Sequence, residues 1–216
     1  MTIFRVDPQN PDPEAIKTAA DAIRCGELVI FPTETVYGLA ADAFNEVAAK
    51  RVFDAKGRAQ MQPLPIQIAN KDQLYEVASE VSESARLLAE RFWPGPLTLV
   101  LPKAESVPDI VTGGEKTIGV RMPDHSVALA LIREVGRPII ATSANISGSA
   151  PPETADAAID MVGHSVSVVL DAGKSRIGVA STVVDVSVLP ARILRAGAIS
   201  AERIKEILGE IDERSG

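Results

Sequence analysis

The stretch from residue 28 to residue 39 reads Leu28-Val29-Ile30-Phe31-Pro32-Thr33-Glu34-Thr35-Val36-Tyr37-Gly38-Leu39. Its first four residues are apolar, which is typical of a strand that is buried on both faces. The residues that follow the strand are too polar to be plain core. In open α/β sheets, ligands bind in the crevice beyond the strand ends. The stretch therefore predicts both a central strand and a candidate site beside it.

Helix and strand signals alternate along the rest of the chain. Asp12 and Asn45 are predicted N-caps, and Gly26 and Gly57 are predicted helix ends. Helices are predicted from these signals and from apolar periodicity at residues 13–25, 45–56, 71–79, 82–93, 124–134 and 200–208. Strands are predicted at residues 3–6, 28–31, 64–69, 97–101, 118–122, 138–142, 166–170, 182–186 and 192–194. Some neighbouring strands lack a helix between them, so the pattern predicts an α/β fold with a mixed sheet.

Composition narrows the class of protein. The chain has 216 residues, and 22 basic against 29 acidic side chains give a net charge of −7. That charge and an aromatic content of 4% disfavour a surface built to track nucleic acid. Cys25 is the single cysteine, which excludes an internal disulfide. No apolar run approaches the roughly 18 residues of a membrane span, and the N-terminus lacks the pattern of a signal peptide. We expect a cytoplasmic protein with a single domain over residues 1–216.

Several catalytic motifs are incomplete. Ala172-Gly173-Lys174-Ser175 resembles the end of a P-loop, but Val168 stands where the first glycine is required. His125 and His164 are the only histidines, and no nucleophile elbow is present, so a serine hydrolase built on Ser143 is disfavoured. The same inventory assigns no metal site to protein side chains. His125 is interpreted as a solvated surface residue.

Cations and hydroxyls recur at the ends of predicted elements. Arg121 lies in the apolar setting of residues 118–123, and a buried arginine stays charged. It therefore needs an anionic partner, which is either a fixed aspartate or a ligand. The hydroxyl residues that follow apolar strand runs are Thr33, Thr35, Thr142, Ser143, Ser147 and Ser181. Together they predict a site for an anionic ligand: a nucleotide, an amino acid or both.

Seven motifs occur in an order that resembles the YrdC/Sua5 family. They are Phe31 to Leu39, Lys56-Gly57-Arg58, Trp93-Pro94-Gly95-Pro96-Leu97-Thr98, Gly119-Val120-Arg121-Met122-Pro123, Ser143-Ala144-Asn145-Ile146-Ser147-Gly148, Ser181-Thr182-Val183-Val184-Asp185 and Arg195-Ala196-Gly197. The resemblance covers about residues 10–208. It implies a twisted mixed sheet with a large concave basin, and the short form of the family without a further C-terminal domain.

The resemblance also implies an activity, that of an L-threonylcarbamoyladenylate synthase. Such a nucleotidyltransferase makes threonylcarbamoyl-AMP and pyrophosphate from L-threonine, bicarbonate and ATP, with Mg²⁺ accompanying ATP. The product feeds the t6A modification of tRNA. Expected partners are the t6A transfer machinery and, weakly, tRNA, and the chain is expected to be a monomer or weak dimer without membrane contact.

The resemblance assigns roles by motif position. Lys56 and Arg58 are the implied catalytic residues. The implied threonine-binding residues are Thr35, Gln67, Arg121, Ala141 and Ser181. The implied ATP-binding residues are Arg58, Gln62, Thr117, Ser143, Pro151 and Arg195. Three positions depart from the family pattern, since Gln62 replaces an asparagine, Gln67 a histidine and Pro151 a serine.

Two other functions remain open at this stage. One is a double-stranded RNA or tRNA-binding module without synthase activity, because some relatives present a basic concave face. The other is a carbamoyl-transfer domain like that of hydrogenase-maturation proteins, although those chains are longer and carry zinc-finger-like cysteines that this chain lacks. A requirement for threonine and bicarbonate in pyrophosphate release distinguishes the three.

Overall fold

The computed structural model describes residues 1–59 and 62–212. Its strands are β1 (Thr2–Arg5), β2 (Val29–Phe31), β3 (Gly38–Asp42), β4 (Ile66–Gln67), β5 (Leu97–Pro102), β6 (Thr117–Arg121), β7 (Ile139–Ser143), β8 (Val168–Asp171), β9 (Thr182–Asp185), β10 (Ala191–Arg195) and β11 (Ile211–Asp212). Its helices are α1 (Pro13–Arg24), α2 (Glu46–Lys56), α3 (Leu74–Val77), α4 (Glu83–Phe92), α5 (Asp109–Thr112), α6 (Ser126–Val135), α7 (Ala155–Val162) and α8 (Ala201–Leu208). Among the described residues, no helix has the length and apolar character that a membrane span requires.

Local signals account for most helix ends. The Asp12 side chain accepts a hydrogen bond from the Glu14 amide, and the Asn45 side chain accepts from the amides of two residues in the first turn of α2. Gly57 ends α2 in the left-handed conformation, with a φ of 57°. The helix predicted at residues 124–134 was expected to begin at Asp124, and that start is wrong. Helix α6 begins at Ser126, and the Asp124 carboxylate instead lies 2.6 Å from Arg176.

The strands form one sheet of mixed direction. The order is β1-β8-β2-β3-β7-β4-β6-β5-β9-β10-β11, with parallel pairs such as β2–β8 and antiparallel pairs such as β2–β3 and β3–β7. The prediction of an α/β fold with a mixed sheet flanked by helices is therefore confirmed.

Strand β2 shows why the sheet is apolar on both sides. Ile30 belongs to a cluster that includes residues of α2, α4 and α7, whereas Val29 and Phe31 belong to a second cluster with α1 and α6. Because side chains alternate along a strand, these helices cover opposite faces of the sheet. The continuous apolar run that predicted burial on both faces is explained by these two layers.

Four elements escaped prediction: β3, α5, α7 and β11. Strand β3 contains glycine and alanines, which have low strand propensity, and it becomes a strand by pairing with β2 on one side and β7 on the other. Gly38 is required there, since a Cβ would lie 2.6 Å from the Phe31 ring. Tertiary pairing, rather than local preference, determines this element.

Candidate functional site

A pocket lies on one face of the sheet, and strand register explains which residues reach it. Gln67 is paired with Arg121 of β6 and with Ile139 of β7. Ile139 packs in the cluster beneath α1 and α6, so Gln67 and Arg121 point to that same face. Thr98 pairs with Val183 on the same face of β5 and β9. The floor of the pocket is therefore the continuation of the face that α1 and α6 cover elsewhere.

The pocket has a volume of about 520 Å³ and brings together most of the residues singled out in the sequence. Those that line it are Thr35, Arg58, Gln67, Thr117, Arg121, Ala141, Ser143, Pro151, Ser181 and Arg195. Lys56 and Gln62 are not among the lining residues. Gln62 is exposed, and its backbone amide donates to the carbonyl of Ala59 at 3.1 Å.

Arg121 is the most constrained cation of the pocket. Its Nη2 lies 2.6 Å from Oε1 of Glu34, in a contact of opposite charges that is not aligned as a hydrogen bond. Its Nε donates to the Gly95 carbonyl at 3.1 Å, and its Nη1 donates to Thr35 Oγ1 at 3.0 Å. Of the two partners expected from the sequence, a fixed carboxylate is therefore present, and it is a glutamate. Nη1 uses one of its two N–H groups in the contact with Thr35, so the other remains for a ligand.

A loop after β8 buries the segment that carries Glu34. The Ser175 hydroxyl donates to the Thr33 carbonyl at 3.0 Å, and the amides of Ile177 and Gly178 donate to the carbonyls of Glu34 and Thr35 at 2.8 and 3.0 Å. The loop contains the residues that resembled the end of a P-loop. Its role here is to cover the segment 33–35.

Ser181 lies between two other side chains of the pocket. Its hydroxyl is 2.8 Å from Thr98 Oγ1, and Arg195 Nη2 donates to Ser181 Oγ at 3.1 Å and to the Ser181 carbonyl at 2.7 Å. Burial and the positive charge of Arg121 lower the pKa of Arg195. Two cations thus face the same volume, which favours an anionic ligand.

Lys56 lies behind the pocket wall, with 2% of its surface exposed. Its Nζ donates to the carbonyls of Ser143 and Asn145, the latter at 2.7 Å, and to Asn145 Oδ1 at 3.2 Å. Burial, reinforced by the charge of Arg58, lowers the pKa of Lys56 to about 8. The geometry makes Lys56 the anchor of the loop that follows β7, with Asn145 as its main partner.

Two polar side-chain atoms of the pocket residues lack a hydrogen-bond partner among the described residues. Gln67 is 5% exposed, and its Oε1 has no hydrogen-bond partner among the described residues. Arg58 donates through Nη2 to the Pro63 carbonyl at 2.8 Å, whereas its Nε lacks a partner within the described chain. Burial lowers the pKa of Arg58. Both residues line the pocket, although these two atoms are themselves buried.

His125 is not the solvated residue that the sequence suggested. It is half-buried at the start of α6, and burial lowers its pKa, partly opposed by the negative charge of Glu34. Its proximity to Glu34 follows from the fold, because the segments 33–35 and 124–126 are far apart in sequence.

The lining residues to which the sequence assigned no individual binding role include Thr33, Thr98 and Asn145. Each lies inside a quoted motif, so the motifs were the available signal. What the motifs could not show is that Thr33 contacts Thr35, that Thr98 contacts Ser181, and that Asn145 contacts Lys56. These residues act on other side chains of the site.

The chemistry of the lining matches an anionic ligand. Among the described residues that line the pocket, none is an aspartate or glutamate, whereas three are arginines. The described ranges also contain no cluster of three or more potential metal-ligating residues. Guanidinium, hydroxyl and amide groups can bind phosphates and carboxylates without a metal cage.

Comparison with known proteins identifies the family. A family model of the Sua5/YciO/YrdC domain, described as telomere recombination, matches residues 21–197. The chain belongs to the Sua5/YciO/YrdC family. The crystal structure of Pyrococcus abyssi Sua5 complexed with L-threonine is similar to it with a TM-score of 0.95 and 48% identity, covering 98% of this chain and 62% of that one. Escherichia coli YciO shares the fold, with a TM-score of 0.84 at 24% identity.

Curated family members are similar over most of this chain. The threonylcarbamoyl-AMP synthase of Pyrococcus abyssi is 52% identical over 196 residues, which are 91% of this chain and 58% of that protein. The threonylcarbamoyl-AMP synthase of Bacillus subtilis is 44% identical over 206 residues, or 95% of this chain and 59% of that protein. The chain thus spans less than two thirds of the length of these two family members.

Proposed function

We propose that this family member is an L-threonylcarbamoyladenylate synthase. The observation that carries the proposal is the meeting of Thr35, Arg121 and Ser181 in one pocket with two further arginines. Support comes from the names of the similar curated proteins and from the related Pyrococcus abyssi structure that holds L-threonine.

The proposed reaction has two steps. The amine nitrogen of L-threonine bonds to the carbon of bicarbonate, and loss of water leaves a carbamate. A carbamate oxygen then attacks the α-phosphate of ATP, the bond to the β-phosphate breaks, and pyrophosphate leaves. Negative charge accumulates on phosphate oxygens during the second step, so fixed cations are more useful than an acid–base pair.

The side chains of the pocket suit these needs. Arg121 has a free Nη1 N–H group for the threonine carboxylate, and Ser181, Gln67 and Ala141 line the same pocket. On the ATP side, Arg58 and Arg195 would offset phosphate charge, and Thr117 and Ser143 would supply hydroxyls. Lys56 would act through the loop that carries Ser143, and Pro151 would contact ATP without a hydroxyl. Gln62, which is exposed, would contact ATP through its side-chain amide.

Mg²⁺ would be held by ATP rather than by the protein. The described part of the pocket lining offers arginines and hydroxyls instead of the carboxylates that Mg²⁺ prefers, so phosphate oxygens and water would be its ligands. When bound, the ion supplies further charge neutralisation at the phosphates. We propose that the product passes to the t6A transfer machinery, with at most weak contact to tRNA.

The test is release of pyrophosphate by the purified chain from ATP and Mg²⁺. It should require L-threonine and bicarbonate together. L-Serine, which loses one methyl group, should replace threonine better than L-valine, which loses the hydroxyl and leaves a buried polar group without a partner. Release that is independent of bicarbonate, or equal with valine, would contradict the proposal.

A further inference from the structure

Thr33 lies at the centre of a small hydrogen-bonded turn. It is 2% exposed, and its Oγ1 is 2.7 Å from the Val36 carbonyl oxygen and 2.9 Å from Thr35 Oγ1. The amides of Thr35 and Val36 approach the same oxygen at 3.2 and 3.3 Å. The two amides can only donate to Thr33 Oγ1, so the single proton of Thr33 goes either to the Val36 carbonyl or to the Thr35 hydroxyl.

The contact with Val36 decides where the proton of Thr33 goes. A carbonyl oxygen can only accept, so the 2.7 Å contact requires Thr33 to donate. The contact between the two threonine hydroxyls then uses the proton of Thr35, and the two longer amide contacts share the second lone pair of Thr33 Oγ1. Arg121 Nη1 also donates to Thr35 Oγ1, at 3.0 Å, and occupies one of its two lone pairs. Thr35 is left with one lone pair and no proton for a ligand.

We infer that Thr33 is a positioning residue that makes Thr35 a hydrogen-bond acceptor for the α-amine of the substrate. The inference rests on the proposed function and deepens it. A carboxylate or phosphate oxygen placed there would meet another lone pair and be repelled. An amine N–H would be accepted, and the nitrogen lone pair would remain free to attack bicarbonate.

The neighbouring Arg121 favours the amine over the substrate hydroxyl. A carboxylate bound to Arg121 lies next to Thr35, because the two side chains are in contact. The α-amine is two bonds from the carboxylate carbon, whereas the threonine hydroxyl is three bonds away. The group nearest to Thr35 is therefore the amine, and the side-chain hydroxyl is left to other partners such as Gln67.

The experiment is a binding cycle with three ligands: L-threonine and two analogues that compete with it. Thr33→Val removes the acceptor of the Thr35 proton and preserves the shape of the side chain. L-Threonine and L-2-aminobutyrate, which both keep the amine, should bind about 3- to 10-fold more weakly, as expected for one hydrogen bond. (3R)-3-Hydroxybutanoate, which lacks the amine, should bind within about 2-fold of its wild-type affinity. Thr33→Ser should restore all three, and Thr112→Val is the matched control.

Which of the three ligands Thr33→Val weakens decides whether the inference is correct. Equal weakening of the three ligands would make Thr33 merely structural and would overturn the inference. Weakening confined to the two hydroxyl-bearing ligands would place the hydroxyl on Thr35 and would also overturn it. If threonine binding behaves as expected while pyrophosphate release proves independent of bicarbonate, the proposed function fails and the inference about Thr35 stands. If the wild type does not bind L-threonine, both fail.

A measurement on the wild type avoids any effect of the substitution on folding. Butanoate has only hydrogens where L-2-aminobutyrate has its amine, and 2-oxobutanoate has a carbonyl oxygen there. An accepting Thr35 should bind L-2-aminobutyrate most tightly and 2-oxobutanoate no better than butanoate. Tighter binding of 2-oxobutanoate than of butanoate would mean that Thr35 donates, and would overturn the inference.

Discussion

Arg121 Nη2 and Glu34 Oε1 lie 2.6 Å apart, and the two side chains are only 8% and 1% exposed. Removing a guanidinium from water to this extent is costly unless an opposite charge accompanies it. Glu34 provides that charge from behind, since it is not among the residues that line the pocket. Arg121 can therefore present donors to a ligand without leaving an uncompensated charge when the pocket is empty.

Arg121→Ala should lower both stability and threonine affinity. The buried Glu34 carboxylate loses its partner, which costs about 3–5 kcal/mol in free energy of unfolding. The bound carboxylate of threonine loses its cation, at a cost of roughly 2–5 kcal/mol, or about 30-fold to several thousand-fold in Kd. Denaturant unfolding and calorimetric titration measure the two effects separately.

The double variant Glu34→Gln, Arg121→Gln is the control. It removes both charges, so it should regain much of the lost stability without regaining threonine affinity. If Arg121→Ala has the same free energy of unfolding as the wild type, the Arg121 guanidinium does not stabilise the buried Glu34 carboxylate. If the double variant binds threonine normally, Arg121 does not hold the carboxylate.

The sequence was sufficient where structure is decided locally. Helices α1 and α2 begin after Asp12 and Asn45, and α2 ends at Gly57, as the sequence predicted. These ends could be predicted because capping depends on residues within one turn. Burial of Arg121 in an apolar strand correctly predicted an anionic partner from the cost of desolvation. The identity of that partner could not be predicted, since Glu34 approaches only after the sheet and the loop 175–178 have formed.

The position of Lys56 shows the same limit within the site. The motif placed it with Arg58, and both were expected beside the ligand. Residues 56 and 58 flank the left-handed Gly57, so the two side chains leave the helix end in different directions, and only Arg58 lines the pocket. A motif gives the order of residues in the chain, but the directions of their side chains depend on the backbone.

Lys56 should make ATP binding sensitive to alkaline pH. With a pKa of about 8, its ammonium loses a proton above that pH, and a neutral amine cannot donate to all three of its oxygen partners. The loop carrying Ser143 should loosen, so ATP affinity should fall as pH rises from 7 to 9.5. Titrations without threonine exclude the ionisation of the substrate amine.

The stability contribution of Lys56 has the opposite sign. Between pH 8 and 10.5 the native side chain is neutral while the unfolded one still carries its proton, so the free energy of unfolding rises with pH over that range.

Lys56→Gln is the control for the effect on ATP affinity. Its side chain does not titrate, so its ATP affinity, although weaker, should not change between pH 7 and 9.5. A wild-type affinity that does not change between pH 7 and 9.5 would show that Lys56 does not hold the loop.

Thr98→Val should weaken threonine binding by acting on Ser181. The Thr98 and Ser181 hydroxyls are 2.8 Å apart, and this contact restricts the orientation of the Ser181 hydroxyl. Losing one hydrogen bond costs about 0.5–1.5 kcal/mol, or about 2- to 12-fold in the KM for threonine. The KM for ATP should change less. Thr98→Ser retains the hydroxyl and should behave like the wild type, and if both variants lose affinity equally the effect is one of packing.

Gly197→Ala should displace the backbone that carries Ser181. A Cβ at this position would lie 2.5 Å from the Ala180 carbonyl oxygen and from the backbone atoms of Ser181 and Thr182, so the two segments must separate. Overpacking of this kind costs about 1–3 kcal/mol of stability. Because Ser181 moves with its backbone and its carbonyl holds Arg195, the KM values for threonine and ATP should both rise.

Gly209→Ala is the control for this prediction. Gly209 has a φ of 77°, and a Cβ added there would meet no atom of the described residues within 4 Å, so the substitution costs roughly 1–3 kcal/mol of backbone strain far from the pocket. Steady-state kinetics beside thermal unfolding compare the two variants. Equal loss of stability with unchanged KM values for Gly197→Ala would show that substrate binding tolerates movement of the Ser181 segment.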